Sequence, residues 1–236
     1  MTTRKTTMTN SKTTRTFFNQ WDDYHRLVNQ LDSYQFISAA LRGELRGHAV
    51  DVGNGGVFNY DVPALEKLVI VDIAEDLTKK TVLAPNVSFQ YGNAVALPLD
   101  TGQFDTVLLQ LILHHLAEYS VEVTRERSRR AIAEAWRVLK PGGRLVILES
   151  CLPKYWEIME RWLFPAFSMF LTRLGHPLVF QWNWNSLADF CREAGFAEVL
   201  LTRVPQGRWI IQLGRKWPTA LTPIQIYKLV AHKPAN

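Results

Sequence analysis

Cysteine is scarce in this chain. Cys151 and Cys191 are the only two in 236 residues, and neither stands at metal-ligand spacing. That excludes a disulfide scaffold, gives no ground for a metal site, and makes a reducing, cytoplasmic setting the expectation. A leader is also missing from the expectation. The first fifteen residues hold Arg4, Lys5, Lys12 and Arg15 among threonines, without the apolar centre of a secretory signal. No stretch reads as a membrane span, since even the aromatic-rich residues 152–184 are punctuated by Glu157, Glu160, Arg161 and Arg173. The net charge of +5 is modest and sits largely in the first fifteen residues. No aromatics interleave with those bases, so nucleic acid is not the expected partner. There is no internal repeat.

What the chain does have is strand–helix alternation. Residues 1–15 read as a disordered tail, and 16–236 as one domain, long enough for a full α/β core. Phe17, Trp21, Tyr24, Leu27, Val28, Leu31 and Tyr34 recur at three- and four-residue spacing, which predicts a helix over 16–42. Residues 47–150 alternate strand and helix through five strands. Asn185 reads as an N-cap for a helix over 186–194, closed by Gly195. Residues 199–204 and 226–232 read as the last two strands, with 205–225 a long connection. Alternation of this kind predicts a parallel sheet.

The most telling segment is Asp51-Val52-Gly53-Asn54-Gly55-Gly56, with Val71-Asp72 following. A short buried strand runs into glycines, and a second strand ends on an acid. Glycines let a backbone approach a ligand with no Cβ in the way. A carboxylate at the tip of the second strand can accept both hydroxyls of a ribose. The pattern is a nucleoside half-site. It is not the dinucleotide fingerprint G-x-G-x-x-G, because position 58 is Phe58. An acid two residues before the first glycine suits a ligand with a cationic amino group.

This segment resembles motif I of the class I S-adenosylmethionine-dependent methyltransferases, written D/E-x-G-x-G-x-G, with the third glycine one residue early at Gly56. Pro63 follows soon after and interrupts an early helical turn, so a longer loop and a shorter first helix are expected. Gly92-Asn93-Ala94, Leu97-Pro98-Leu99 and Phe104-Asp105-Thr106-Val107 resemble the family's G-D-A…L-P-F…F-D-x-V run. His114-His115-Leu116 and Leu139-Lys140-Pro141-Gly142-Gly143 complete the series. The resemblance covers residues 45–150 closely and 185–233 in topology. It implies a Rossmann-like, seven-stranded, mostly parallel sheet of order 3-2-1-4-5-7-6, with helices on both faces and an antiparallel edge hairpin. It implies S-adenosylmethionine as cofactor and S-adenosylhomocysteine as product. The residues it assigns to the cofactor are Asp51, Gly53, Asn54, Gly55, Asp72, Ile73, Asn93, Ala94 and Gln110. Asp51 would hold the amino end and Asp72 the ribose. Asn93 stands where the family has Asp beside adenine, and its carbonyl oxygen can still accept from an exocyclic amine. Gln110 would lie near the methionine moiety.

Residues 152–184 form an insertion after the fifth strand, rich in Tyr155, Trp156, Trp162, Phe164, Phe167 and Phe170. It reads as a lid lining an apolar acceptor pocket, as a cover packed on the sheet or a second subunit, or as a surface that docks on a membrane. Candidate general bases are His114, His115, Glu149 and His176; Cys151 has no activating partner and reads as structural. The expected activity is methyl transfer to a small apolar or aromatic molecule by a monomer or homodimer, in secondary metabolism or in quinone and lipid pathways as the resemblance implies. A protein of this fold without methyl transfer and an RNA or protein methyltransferase stay open as alternatives. A nucleotide-binding dehydrogenase is disfavoured by the Leu-Lys-Pro-Gly-Gly context.

Overall fold

A computed structural model describes residues 33–74, 83–212 and 215–235. The predicted tail and most of the predicted first helix lie outside these residues. The described end of that helix is α1 (Ser33–Leu41), which leads into β1 (His48–Val52). Then come β2 (Lys67–Asp72), β3 (Val87–Tyr91) and β4 (Phe104–Gln110). After a single 3-10 turn at Leu113–Leu116, α2 (Val121–Val138) passes straight into β5 (Leu139–Cys151). The helices α3 (Lys154–Arg173) and α4 (Trp184–Glu193) precede β6 (Ala197–Val204). A short β7 (Trp209–Gln212) and β8 (Arg215–Pro218) pair before the last strand, β9 (Gln225–His232).

The main sheet has the order β3-β2-β1-β4-β5-β9-β6. Its first five strands are parallel, and β9 runs antiparallel between β5 and β6. With the β7–β8 pair set aside, this is the expected 3-2-1-4-5-7-6 order. Side-chain alternation divides the core. Val50, Val52, Val107, Leu109, Leu145 and Ile147 face α2 and α4, while Ala49, Ile70, Leu108, Val146 and Leu148 face α1. Burial on both faces is why these strands read as continuous apolar runs.

Three sequence expectations shift. The segment between β1 and β2 contains no helix at all. Gly53, Gly55 and Gly56 all take positive φ, and Pro63 follows, so no run of residues is left to nucleate one. Phe58, Tyr60 and Val62 instead pack against the α1-side core where a helix would have covered it. The helix α4 starts two residues early, capped by the Asn183 side chain, which accepts from Asn185 N–H. Within 205–225 lie β7 and β8, paired antiparallel with Gln212 opposite Arg215.

Candidate functional site

The site lies where the parallel strands end. In the ladder, Val52 pairs with Val71 on one side and with Leu109 on the other. The next position on each strand therefore brings Gly53, Asp72 and Gln110 into one row, on the face that carries Asp51. The Gly53 N–H donates to Val71 O at 2.8 Å and fixes the turn. Gly53 sits at φ +73°, and a Cβ there would meet Ile112 Cδ1 at 2.3 Å. Gly53→Ala is therefore expected to destabilise by about 2 kcal/mol or more, from the left-handed backbone and the clash together. The double variant Gly53→Ala/Ile112→Ala should recover only the clash part in thermal denaturation. Gly55, at φ +61°, would meet nothing within 4 Å and faces open space.

Asp51 is buried, and one of its carboxylate oxygens, Oδ2, accepts from Asn54 Nδ2 at 2.6 Å and from the Tyr60 hydroxyl at 2.5 Å. The other, Oδ1, is buried without a partner among the described residues. Burial pushes the Asp51 carboxyl up to about 6, with the nearby Asp72 adding to the rise and the two donors opposing it. Gln110 Oε1 is likewise buried and unpartnered. Asp72 accepts from Ala74 N–H at 2.8 Å and Gly55 N–H at 3.2 Å. Burial raises its carboxyl too, against those backbone donors and that of Ile73. Buried acceptors without donors are rare in folded proteins. A ligand bearing an ammonium and hydroxyls would supply the missing donors.

The other cofactor candidates are placed differently. The Asn54 side chain is spent inside the loop, donating to Asp51 and Val57 O and accepting from Gly56 N–H. Asn93 Oδ1 accepts from Val95 N–H at 3.2 Å in a tight turn, with Ala94 buried beside it. That turn follows Gly92, where a Cβ would meet Pro98 Cδ at 2.6 Å. Arg137 on α2 pins the loop by donating to Leu97 O and Leu99 O.

Among the base candidates, the structure joins His114 to Glu149. His114 Nδ1 lies 2.7 Å from Glu149 Oε1. Glu149 is fully buried and also accepts from Leu113 N–H at 2.7 Å, Ser150 N–H at 2.8 Å and the Ser150 hydroxyl at 3.1 Å. His115 stacks at 4.0 Å from His114, and burial, with His114 beside it, drives its pKa well down, which favours the neutral form. His176 follows the end of α3, its N–H donating to Leu171 O. Cys151 is buried, and burial first, then Glu149 and Glu157, holds its thiol well above the usual range. Among the described residues no cluster of three or more histidines, cysteines and acids could hold a metal.

Three participants escaped sequence reading as site residues, Tyr60 on Asp51, Ser150 and Glu160, while Gln181 stands in the insertion beside His176-Pro177. The Ser150 hydroxyl, whose one proton is shared between Glu149 and Gln181, lies 2.9 Å from Gln181 Oε1, and the Gln181 N–H donates to the Glu160 carboxylate at 3.2 Å. Glu160 is pushed up to about 8 by burial, with Glu157 adding repulsion. The aromatics of the insertion divide. Phe164, Phe180 and Trp182 are core residues in edge-to-face contact, whereas Tyr155 and Trp162 are exposed.

Comparison with known proteins places this geometry. A family model described as a methyltransferase domain matches residues 50–147, the stretch that builds β1 to β5 and the glycine turn. Over that stretch the chain is similar to methyltransferase domains. Two curated methyltransferase relatives are the ubiquinone/menaquinone biosynthesis C-methyltransferase UbiE of Allorhizobium ampelinum and the demethylmenaquinone methyltransferase of Lactococcus lactis. The first is 28% identical over 137 residues, covering 56% of this chain and 49% of the relative. The second is 28% identical over 153 residues, covering 56% and 57%. The chain thus spans about half the length of the curated relatives it matches. Among solved methyltransferase folds, a putative methyltransferase bound to the Haloferax volcanii Trm112 activator aligns with TM-score 0.66 at 17% identity, over 92% of this chain and 97% of that one. The Burkholderia thailandensis 1,6-didemethyltoxoflavin-N1-methyltransferase, solved with its substrate and S-adenosylhomocysteine, aligns with TM-score 0.65 at 17% identity, over 95% and 88%.

Proposed function

We propose that this methyltransferase carries a methyl group from S-adenosylmethionine to a small, apolar or aromatic acceptor by in-line displacement, releasing S-adenosylhomocysteine. The observation that carries the reading is the pair of buried, donor-less oxygens, Asp51 Oδ1 and Gln110 Oε1, flanking a glycine turn with Asp72 at its side. Asp51 takes the ammonium of the methionine end, Asp72 the ribose hydroxyls, Asn93 and Ala94 the adenine edge, and Gln110 the methionine portion. Gly53 and Gly55 keep the approach clear.

The cofactor supplies an electrophilic methyl group already activated by its sulfonium charge. The protein must then align the acceptor, exclude water and remove one proton. His114 is the base we assign. In the neutral ring with Nδ1–H turned to Glu149, Nε2 carries the lone pair that takes a proton from a hydroxyl or an activated ring carbon. The names of the relatives, which refer to ubiquinone and menaquinone biosynthesis, support an aromatic or quinonoid acceptor over a secondary metabolite of other chemistry. The modest charge outside the tail supports a small molecule over RNA.

The test is calorimetric titration of the whole chain with S-adenosylmethionine, S-adenosylhomocysteine and NAD across pH 5 to 8. The first two should bind and NAD should not. Asp51 must be ionised to hold an ammonium, and its carboxyl sits at about 6. Affinity should therefore be flat above about pH 7 and fall by up to about tenfold per unit below 6. Affinity unchanged down to pH 5 would remove Asp51 from the amino end. NAD binding in place of the other two would overturn the reading.

A further inference from the structure

The helix α3 has a buried side and, opposite to it, an exposed apolar stripe. Glu157, Phe164 and Leu171 follow one another at seven-residue steps and are buried. Tyr155, Trp162 and Met169 follow at the same steps, two residues offset, and are 72%, 81% and 55% exposed. Seven residues advance a helix by nearly two turns, and a two-residue offset is a rotation of about 200°. The outer stripe therefore points directly away from the core, and Leu163 and Phe170 widen it. Large apolar side chains shown to water along one helix face mark an interaction surface.

The charges are sorted to match. Both acids of α3 are turned inward. Glu157 is held by Asn183 N–H, the Ser186 hydroxyl and Arg161, and Glu160 is held by Gln181 N–H. The exposed charges at the two ends of the helix are Lys154 and Arg173, both basic. On α2, Glu122 acts electrostatically on Arg161 at mid-helix. The β7–β8 pair packs near the start of α3. Leu152, Ile210 and Ile224 form one buried cluster that ties that pair to the start of α3. Residues 205–224 contain Arg208, Arg215 and Lys216 and no acid, with Trp217 and Leu221 exposed.

We propose that this surface docks the protein on an anionic lipid bilayer, with α3 lying in the interfacial plane. Aromatic and aliphatic side chains on one face, bases at the rim and inward-turned acids suit a headgroup layer. The helix is not apolar enough to cross a membrane. A second copy of this chain fits worse, because a two-fold interface would set Lys154 and Arg173 against the same patch of bases. This inference stands apart from the choice of acceptor, since docking needs neither cofactor nor turnover.

The experiment is flotation of the whole chain with vesicles of phosphatidylcholine, with and without phosphatidylglycerol. The chain should float with the anionic vesicles, less so as salt is raised, and poorly with phosphatidylcholine alone. The double variant Trp162→Ser/Phe170→Ser should lower the partition by about tenfold, with S-adenosylmethionine affinity and melting temperature unchanged. Flotation of the double variant equal to that of the parent would overturn the proposal. So would a parent chain that ignores anionic vesicles, or one that self-associates through this face instead.

Discussion

Asp72→Ala should raise the dissociation constant for S-adenosylmethionine by about a hundredfold or more. Two ribose hydroxyls donating to one carboxylate are charge-assisted hydrogen bonds worth about 1.5–3 kcal/mol each. No other acid stands in that row of the sheet, because the neighbours across β1 and β4 are Gly53 and Gln110. The free protein should lose less. Asp72 accepts two backbone N–H groups, from Ala74 and Gly55, at a turn that water can reach in part. A loss of about 1–2 kcal/mol in denaturation is expected from those two bonds. Burial raises the Asp72 carboxyl in the free state, so part of the cost of ionising it is already built into the fold. Asp72→Asn keeps an acceptor oxygen and should recover part of the affinity. Calorimetry on both variants gives the answer. If Asp72→Ala bound S-adenosylmethionine within a few-fold of the parent, the ribose would sit elsewhere and the strand register would not define the site.

How much of this was legible beforehand follows from where each interaction is encoded. Strands buried on both faces, such as Lys67–Asp72 and Phe104–Gln110, announce themselves as apolar runs. Asp51, Gly53 and Asp72 could be read because a strand, a turn and a second strand fix their relation locally. The helix missing after β1 was half legible. Pro63 marked the difficulty, but only the packing of Phe58, Tyr60 and Val62 on the core shows what takes the helix's place. The partners within the site were not legible, because chain distance hides them. Glu149 meets Leu113 across 36 residues, and Ser150 meets Gln181 across 31. The aromatic insertion misled in another way. Composition cannot say which side of a helix a ring occupies, and here Phe164 and Trp182 went to the core while Tyr155 and Trp162 went outward.

The most destabilising single change among the site residues should be Glu149→Ala. Its carboxylate is fully buried and serves Leu113 N–H, Ser150 N–H, the Ser150 hydroxyl and His114 at once. Removing it strands these donors at the junction of β5 with the turn after β4, at a cost of about 3–5 kcal/mol. Glu149→Gln should cost less, since one amide oxygen still accepts, but its NH2 then confronts either Leu113 N–H or His114. Stability alone would not separate a strut from a catalytic partner, so kinetics must. If Glu149 orients His114 as a base, His114→Ala should lower kcat by about a hundredfold. Its effect on S-adenosylmethionine affinity should be slight, because Asp51, Asp72 and Asn93, the groups proposed for the amino end, the ribose and the adenine, stand on β1, β2 and the loop after β3. Glu149→Gln should lower kcat in the same step, and the double variant His114→Ala/Glu149→Gln should be little worse than His114→Ala alone, since two groups acting as one unit are lost together. Full turnover in His114→Ala would reduce the pair to a buried strut and leave the proton to water.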